Sequence, residues 1–190
     1  DYEIVELLLT IGTPRKDCKS IAKESLKIFK TLSGILGANP KDLKEINGIG
    51  DNNIFGLKIA QAVAGRFLAE GIINKDFIRS SDEVLKYLKY NLRDKNREVF
   101  LIIYLNGRNQ ILKMEEIFEG TLSTTAVYPR EVVKRALDNN AAALIFVHNH
   151  PSGNPNPSSD DLTITKKLKE AAISIDISVH DHLIIAGDEV

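Results

Sequence analysis

The stretch HNHPSGNPNPSSDD, residues 148–161, directly follows the apolar run AAALIFV, residues 141–147. Two of the chain's four histidines, His148 and His150, stand one residue apart at the end of this strand-like run. Alternate side chains of a strand point to the same face, so both imidazoles are expected to project together. Pro151 cannot donate to a sheet ladder and is expected to end the strand. The sequence therefore predicts a pair of imidazoles at the end of a buried strand.

A pair of imidazoles at this spacing indicates a metal site. Zinc is bound by histidine nitrogen and carboxylate oxygen, and a site with three protein ligands keeps a fourth position open for water. Two carboxylates follow closely in the sequence and are candidates for the third ligand, namely Asp160 and Asp161.

The same stretch also has an explanation that needs no metal. Ser158 and Asp161 have the spacing of a capping box, with Pro157 just before them, and would then open a helix. Capping leaves the histidines unexplained, because two buried imidazoles cost desolvation free energy unless both find partners. Both interpretations can hold together if Ser158 caps the helix while Asp161, in its first turn, points back to the metal.

Composition limits the classes of protein to consider. The chain has 190 residues, 43% of them hydrophobic, and a formal net charge of −1, so any affinity for nucleic acid must come from a local patch. Its single cysteine, Cys18, cannot form an internal disulfide or a cysteine-rich zinc site. No apolar run is long enough to span a membrane, and the N-terminus does not resemble a signal peptide. We therefore expect a soluble cytoplasmic protein.

The chain is predicted to contain two domains of different character. Residues 1–75 hold no convincing strand, whereas residues 80–190 alternate β-rich runs with helical patterns, which indicates an α/β sheet covered by helices. Near the joint, Ser81 is predicted to cap a helix. The elements predicted after it are a hairpin of strands 98–105 and 110–117 joined by Asn106 and Gly107, a helix from Pro129, a strand at 141–149, a helix at 159–173 and a strand at 177–186.

A stripe of lysines stands out in the first domain. Thr13 and Pro14 have the pattern of an N-cap and a first helical residue, so a helix is predicted from there to about Leu32. Five lysines would lie on one face of that helix, within a stripe about 80° wide. The stripe has two interpretations, an ordinary solvated face and a contact surface for nucleic acid. Its members are Lys16, Lys19, Lys23, Lys27 and Lys30.

The segment LKEINGIGDNNIFGLKIAQAV further along this domain is predicted to join two helices through Gly48, Ile49 and Gly50. The glycines permit a tight turn, and the free N–H groups of the second helix can bind a phosphate. This is the physics of a helix-hairpin-helix clamp, although the same turn can merely join two packed helices. Together with the lysines it predicts weak, salt-sensitive contact with the backbone of duplex or branched DNA.

These motifs resemble those of a known family. The spacing of His148, His150, Ser158 and Asp161 reproduces the pattern of the JAMM (MPN-plus, JAB1-like) metal-dependent isopeptidases. The longer motif HNHPSG, with PREVVKRAL upstream and DHLIIAG downstream, is similar to the RadC branch of that superfamily. RadC proteins are named for DNA repair. The N-terminal LLLTIGTPRKD and INGIG also resemble RadC proteins, so the likeness covers nearly the whole chain.

The resemblance implies a cytidine-deaminase-like α/β fold for residues 80–190 and a zinc-dependent hydrolase that cleaves an amide or isopeptide bond in an unknown protein or peptide. It implies that His148, His150 and Asp161 bind zinc, that Ser158 supports the oxyanion and that Glu98 accepts the proton of the attacking water. Only the family pattern selects Glu98, because four other carboxylates are also in range by sequence: Glu115, Glu116, Glu119 and Glu131.

Two alternatives to a hydrolase remain open at this stage, and so does the role of a second pair of histidines. A metal-dependent nuclease would use the same ligands, and a scaffold that binds DNA without catalysis would keep zinc only for structure. A nuclease with paired metals needs a further carboxylate cluster, and structural zinc needs a fourth protein ligand. The second histidine pair, His180 and His182, is expected to support the site or to be satisfied in the core.

Overall fold

The computed structural model describes residues 1–77, 79–120 and 127–190. The chain divides into two compact units, Asp1–Leu68 and Ala69–Val190. The first unit is helical and the second contains a four-stranded sheet with helices, so the predicted fold class is confirmed. None of the helices in the described part of the chain combines the length and the apolar content that crossing a membrane requires.

The first unit is built on one apolar core, to which its successive helices contribute. Val5, Leu9, Ile35, Leu43 and Leu57 are all essentially inaccessible to solvent within it. The helices are α1 (Tyr2–Gly12), α2 (Lys19–Phe29), α3 (Leu32–Gly37), α4 (Pro40–Lys44) and α5 (Asp51–Glu70).

The single helix predicted from Thr13 to about Leu32 is wrong. Thr13 ends α1 instead of starting a helix, since both its N–H and its hydroxyl bond back to the carbonyl of Leu9. Helix α2 begins at Lys19 and stops at Phe29, because Lys30 adopts φ 68°, where a right-handed helix cannot continue. The chain therefore turns twice where the sequence pattern predicted one continuous helix.

In the second unit, the strand that carries His148 is one of the two inner strands of the sheet. The strand order is β2-β1-β3-β4, with β1 antiparallel to both of its neighbours and β3 parallel to β4. The strands are β1 (Val99–Leu105), β2 (Ile111–Glu119), β3 (Ala143–Asn149) and β4 (Ser178–Ile185), and the helices are α6 (Ser81–Leu92), α7 (Pro129–Asp138) and α8 (Ser159–Ile173).

Both faces of the central strands are covered, which explains why β1 and β3 are buried at every position. Odd-numbered residues of these strands, such as Ile103 and Ile145, pack with α6. Even-numbered residues, such as Phe100 and Phe146, pack with α7 and α8. His148 is therefore directed to the face that α7 and α8 cover.

Most predicted elements of this unit lie where the sequence placed them, and α8 spans the predicted residues 159–173. The cap predicted at Ser81 is wrong, since α6 has Ser80 at its N-cap position and Ser81 as its first residue. The hairpin turn is longer than the predicted pair Asn106 and Gly107. The Asn106 side chain accepts bonds from the N–H groups of Arg108 and Gln110, which closes a loop before β2 begins.

After α5, residues 71–77 reach the edge of the sheet through an isolated bridge between Asp76 and Gln110, which the sequence did not predict. The N–H groups of Asn74 and Phe77 donate to the carbonyls of Ile111 and Asn109, at the start of β2. Ile72 lies buried in the same core cluster as α6 and the sheet. This segment therefore belongs to the second unit, which begins earlier in the chain than residue 80.

Candidate metal centre

Three predicted ligands converge at the end of β3. The Nε2 atoms of His148 and His150 lie 2.9 Å apart. The carboxylate of Asp161 faces both rings, with Oδ1 at 3.3 Å from Nε2 of His148 and Oδ2 at 3.3 Å from Nε2 of His150. Within the described residues, these three make up the one group of histidine, cysteine and acidic side chains able to hold a metal ion.

The spacing of these atoms suits a tetrahedral zinc ion. Zinc bonds to nitrogen and oxygen are about 2.0–2.2 Å long, so two ligands of a tetrahedral ion are separated by roughly 3.3 Å. Each imidazole lies at this distance from one of the two oxygens of Asp161, and the distance between the two imidazoles is a few tenths of an ångström shorter.

His150 turns its lone pair toward the centre. Its Nδ1 lies 2.7 Å from the carbonyl oxygen of Asn154, which can only accept a hydrogen bond. Nδ1 must therefore carry the proton, and Nε2 of the neutral ring is left as an electron-pair donor. Pro151 and the turn that follows it place Asn154 there, because Gly153 adopts φ 77° and its N–H donates to the carbonyl of His150.

Asp161 is held by the first turn of α8. The predicted capping box is present: the Ser158 hydroxyl accepts from the Asp161 N–H, and Oδ2 of Asp161 accepts from the Ser158 N–H at 2.8 Å. The Ser158 hydroxyl also donates to Oδ2, at 2.6 Å. Burial raises the pKa of Asp161, but these bonds from Ser158 and the two nearby imidazoles outweigh burial and lower it overall. Asp161 is thus ionised, and its Oδ1 faces His148.

His148 is completely buried and uncharged near neutral pH. Its pKa is lowered to about 3, mainly by burial and also by the adjacent His182 and His150 rings, although the Asp161 carboxylate acts to raise it. The ring lies parallel to Phe100, its partner on β1, with the ring centres 6.4 Å apart. A neutral, fixed imidazole is the form that binds a metal ion.

His182 supports the site by contacting His148, which is one of the two roles that the sequence predicted for it. A bulge at His180 separates the paired residues Val179 and Asp181, and this extra residue turns the side chains after it to the opposite faces. His182 is thereby directed to the α8 face, where its Nε2 lies 2.8 Å from Nδ1 of His148. His180 bonds instead to the side chain of Asn109, so the two histidines of this pair have different surroundings.

Comparison with known proteins assigns the chain to a family. Residues 78–190 match the RadC-like JAB domain. The chain belongs to the RadC family. UPF0758 proteins of Nitrosospira multiformis and Ruegeria pomeroyi are each 40% identical to it over 185 residues, covering 97% of this chain and 83% of the relative. That of Rhodobacter capsulatus is 38% identical over 185 residues, covering 97% and 86%. The predicted family resemblance is thus confirmed.

Glu98, the proposed proton acceptor of this RadC-family chain, lies just before β1. Phe100, two residues further along the chain, pairs with His148. Asn149 holds this segment in place: its side chain accepts from the Val99 N–H at 2.7 Å and donates to the Arg97 carbonyl at 3.1 Å. Glu98 also lines a polar groove of about 580 Å³, whose other lining residues are Asn96, Arg97, Gly120, Pro151 and Ser152.

A second groove borders the centre on the side of α8 and β4. It contacts Asp161 itself and is mainly apolar, with prolines from the loop after β3 along one side. A ligand bound at the centre thus has a polar surface on one side and an apolar surface on the other. The residues of the second groove are Pro155, Pro157, Asp161, Leu162, Thr165, His182, Leu183, Ile184 and Val190.

The predicted lysine stripe is shorter than the sequence indicated. Three of its five members, Lys19, Lys23 and Lys27, lie on α2, at intervals of four residues that keep them on one face, and all three are exposed. Lys16 precedes the helix and Lys30 is its C-cap residue. Nζ of Lys23 and of Lys19 lie 5.1 and 5.9 Å from the ring centre of Tyr2, so part of the stripe packs on an aromatic face.

The glycine turn of the RadC-family chain is separated from that stripe. Gly48 adopts φ 97°, and a Cβ added to it would lie 2.6 Å from Cδ1 of Ile21. Ile21 is a buried residue of α2 and points to roughly the opposite side of the helix from the three lysines, at about 100° per residue. The turn and the stripe therefore do not form one continuous surface around α2, and Ile49 is buried within the turn.

The helix end that follows the turn already carries polar partners. The N–H of Gly50 donates to Oδ1 of Asn53 at 3.0 Å. Asp51, the first residue of α5, pairs with Lys44 at 2.6 Å and puts its own negative charge at the helix N-terminus. A phosphate at this position would have to compete with that carboxylate.

Proposed function

We propose that this RadC-family chain is a zinc-dependent hydrolase of the JAMM type that cleaves an amide or isopeptide bond. The proposal depends on one observation, the convergence of His148, His150 and Asp161 at the end of β3. An ionised carboxylate and the lone pair of His150 face each other there in a largely buried position. Electron-rich groups brought together in this way are strongly favoured only when a cation lies between them.

The donor set suits zinc better than a hard cation, because two imidazoles and one carboxylate form a mixed nitrogen and oxygen set. Zinc bound by three protein ligands polarises a carbonyl and lowers the pKa of a coordinated water to about 7. The protein's own contribution is to hold the ligands in register, through β3 for the histidines and through the capping box for Asp161.

Glu98 is proposed to accept the proton of the attacking water and to pass it to the leaving amine. A carboxylate that lines a groove together with Pro151, the residue after His150, is accessible to both water and substrate. Asn149 fixes the backbone on either side of Glu98, so this segment is held against the end of β3.

Ser158 is proposed to have two roles, which are to hold Asp161 and to support the oxyanion that develops on the substrate. Its single hydroxyl proton is donated to Oδ2 of Asp161, and its oxygen accepts from the Asp161 N–H. Support of a developing oxyanion therefore requires this proton to shift from Asp161 toward the substrate. In the structure, the Ser158 hydroxyl donates to the Asp161 carboxylate instead.

The geometry favours a hydrolase over the two alternatives. Many nucleases use two metals about 3.5–4 Å apart, and the described residues offer one cluster of ligands. A purely structural zinc site would need a fourth protein ligand. The nearest additional imidazole, His182, directs its Nε2 at Nδ1 of His148 and is thus engaged outside the centre.

Cleavage assays with zinc-loaded protein test the proposal. We expect cleavage of peptide or isopeptide-linked substrates that a chelator stops and added zinc restores, while duplex DNA stays intact. Ester analogues of the same substrates serve as a sensitive probe for weak activity. Zinc-dependent cleavage of DNA with every amide intact would favour the nuclease instead.

Contact with DNA through α2 is a separate proposal, which the exposure of Lys19, Lys23 and Lys27 supports. Replacing all three with glutamate is expected to weaken binding to duplex DNA about 10-fold or more, and to lower the salt slope by about 3, because each lysine at a phosphate contributes about one released counterion. Fluorescence anisotropy across a salt series measures both quantities.

The matched control makes the same change on α8, and unchanged binding by the α2 variant would contradict the proposal. The control substitutions are Lys166→Glu, Lys167→Glu and Lys169→Glu.

A further inference from the structure

A line of polar contacts runs from α8 to the candidate metal centre on the side away from Glu98. Thr165 lies one helical turn after Asp161, and its hydroxyl contacts both the carbonyl of Asp161 and Nδ1 of His182. Nε2 of His182 in turn lies 2.8 Å from Nδ1 of His148. The contacts therefore lead from a helix backbone to a metal-binding ring through two side chains that do not face the metal position.

The number of protons and lone pairs on each group decides which group donates and which accepts along this line of contacts. A threonine hydroxyl has one proton, and a carbonyl oxygen can only accept. If Thr165 donates to the carbonyl of Asp161, it can only accept from His182, so Nδ1 of His182 carries a proton. Nε2 of the neutral His182 ring is then an acceptor, and Nδ1 of His148 must donate to it.

This order of donors and acceptors determines which nitrogen of His148 carries the proton. With its proton on Nδ1, the neutral ring has its lone pair on Nε2, the atom that faces His150 and Asp161. The opposite direction would take the hydroxyl proton of Thr165 away from the Asp161 carbonyl and place a proton on Nε2 of His148. That proton would be donated to Nε2 of His150, 2.9 Å away, and would block a metal ion. The two directions are thus chemically distinct states of the same atoms.

We propose that Thr165 and His182 are positioning residues, which hold His148 in the Nδ1-protonated tautomer and so prepare its Nε2 to bind zinc. This inference rests on the proposed metal site and adds to it the residues that orient one ligand. Partners of this kind typically change metal affinity by about 10- to 100-fold when they are removed.

The bulge in β4 supports a specific role for His182. Without the extra residue at His180, regular alternation would direct Asp181 to the α8 face in place of His182. His182 also contacts the ring edges of Phe100 and Phe146, with ring centres 5.4 and 5.8 Å away. These aromatic contacts could be kept by any flat ring, whereas the contacts to Thr165 and His148 require ring nitrogens.

The test compares variants that separate ring packing from hydrogen bonding. Thr165→Val removes the hydroxyl at nearly constant volume, and Thr165→Ser restores it. His182→Phe keeps an aromatic ring and removes both nitrogens. His180→Asn is the matched control on the same strand, since His180 bonds to Asn109 outside this line. Zinc affinity is measured by competition with a chelator, and the protonated nitrogen of each histidine by ¹⁵N NMR of the zinc-free protein near pH 7.5.

We expect zinc affinity to fall about 10-fold or more in Thr165→Val and in His182→Phe, and to stay within about twofold in Thr165→Ser and His180→Asn. NMR should place the proton on Nδ1 of both His182 and His148 in the wild type. In Thr165→Val the His182 ring should populate both tautomers.

Two results would overturn the inference, and they differ from failure of the metal site itself. One is zinc affinity in Thr165→Val and His182→Phe equal to that of the wild type. The other is a wild-type His182 protonated on Nε2, which is the reverse direction. If the wild type binds no zinc, the proposed function fails, while the NMR spectra still decide whether Thr165 and His182 set the tautomer.

Discussion

Zinc content should fall from about one ion per chain to nearly none when His148 and His150 are both replaced with alanine. The double variant removes two of the three ligands, and Asp161 alone cannot hold the ion against a chelating buffer. Elemental analysis of protein passed through a desalting column measures the content. The loss is expected to be close to complete, because no other group of ligands is present in the described part of the chain.

The control for this experiment is His180→Ala, which removes a histidine from the neighbouring strand without touching the three ligands. Because His148 is buried, its truncation can also destabilise the sheet, so circular dichroism must accompany the metal analysis. Asp161→Asn provides a second variant of nearly unchanged volume and should also lower zinc content. Stoichiometric zinc in a folded His148→Ala, His150→Ala variant would refute the assignment of the ligands.

Hydrolysis should fall by about 10² to 10⁴-fold in Glu98→Gln while zinc content stays at the wild-type value. Glutamine keeps the size of the side chain and its place in the groove but cannot accept a proton from water. The measurement is turnover of a peptide or isopeptide substrate under saturating conditions, together with elemental analysis of the same preparation. A loss of turnover without a loss of zinc separates proton transfer from metal binding.

Glu131→Gln is the matched control, since Glu131 is an exposed residue of α7 whose ion pair is with its neighbour Arg130. It should leave turnover unchanged. Undiminished turnover in Glu98→Gln would assign proton transfer to a different group. Loss of zinc in the same variant would instead make Glu98 part of the metal site.

The local part of the site was predictable from the sequence. The HxH spacing on a strand, the proline that ends it and the capping box at Ser158 are all short-range patterns, and the structure places them as the patterns predict. Of the two aspartates that the pattern left open, Asp161 lies in the cluster, because its position in the first turn of α8 directs it back toward β3. Asp160, one position earlier on the helix, points about 100° away.

The contributions of β4 and of Thr165 were not predictable. Which face His182 occupies depends on a one-residue bulge at His180, and no local sequence pattern marks where a parallel strand will bulge. Thr165 looks like an ordinary helix residue, and only the packing of α8 against β4 brings its hydroxyl to His182. A signal was nevertheless present, since Thr165 follows Asp161 by four residues and so shares its face of the helix.

In the first unit, short-range patterns predicted a helix that the structure does not contain. The lysine periodicity from Lys16 to Lys30 is compatible with one helix, yet the chain leaves helical geometry on either side of α2. Thr13 and Pro14 are typical of a helix start, but Thr13 instead caps the end of α1 through Leu9. Tertiary packing decides between two local solutions that the sequence allows equally.

Anomalous diffraction at the zinc absorption edge, from crystals grown with excess zinc, tests the central claim most directly. The account predicts one strong peak per chain, within about 2.0–2.2 Å of Nε2 of His148, Nε2 of His150 and a carboxylate oxygen of Asp161, with a fourth position left to solvent. A map without a peak between these three side chains, or a peak with four protein ligands, would contradict a catalytic zinc site.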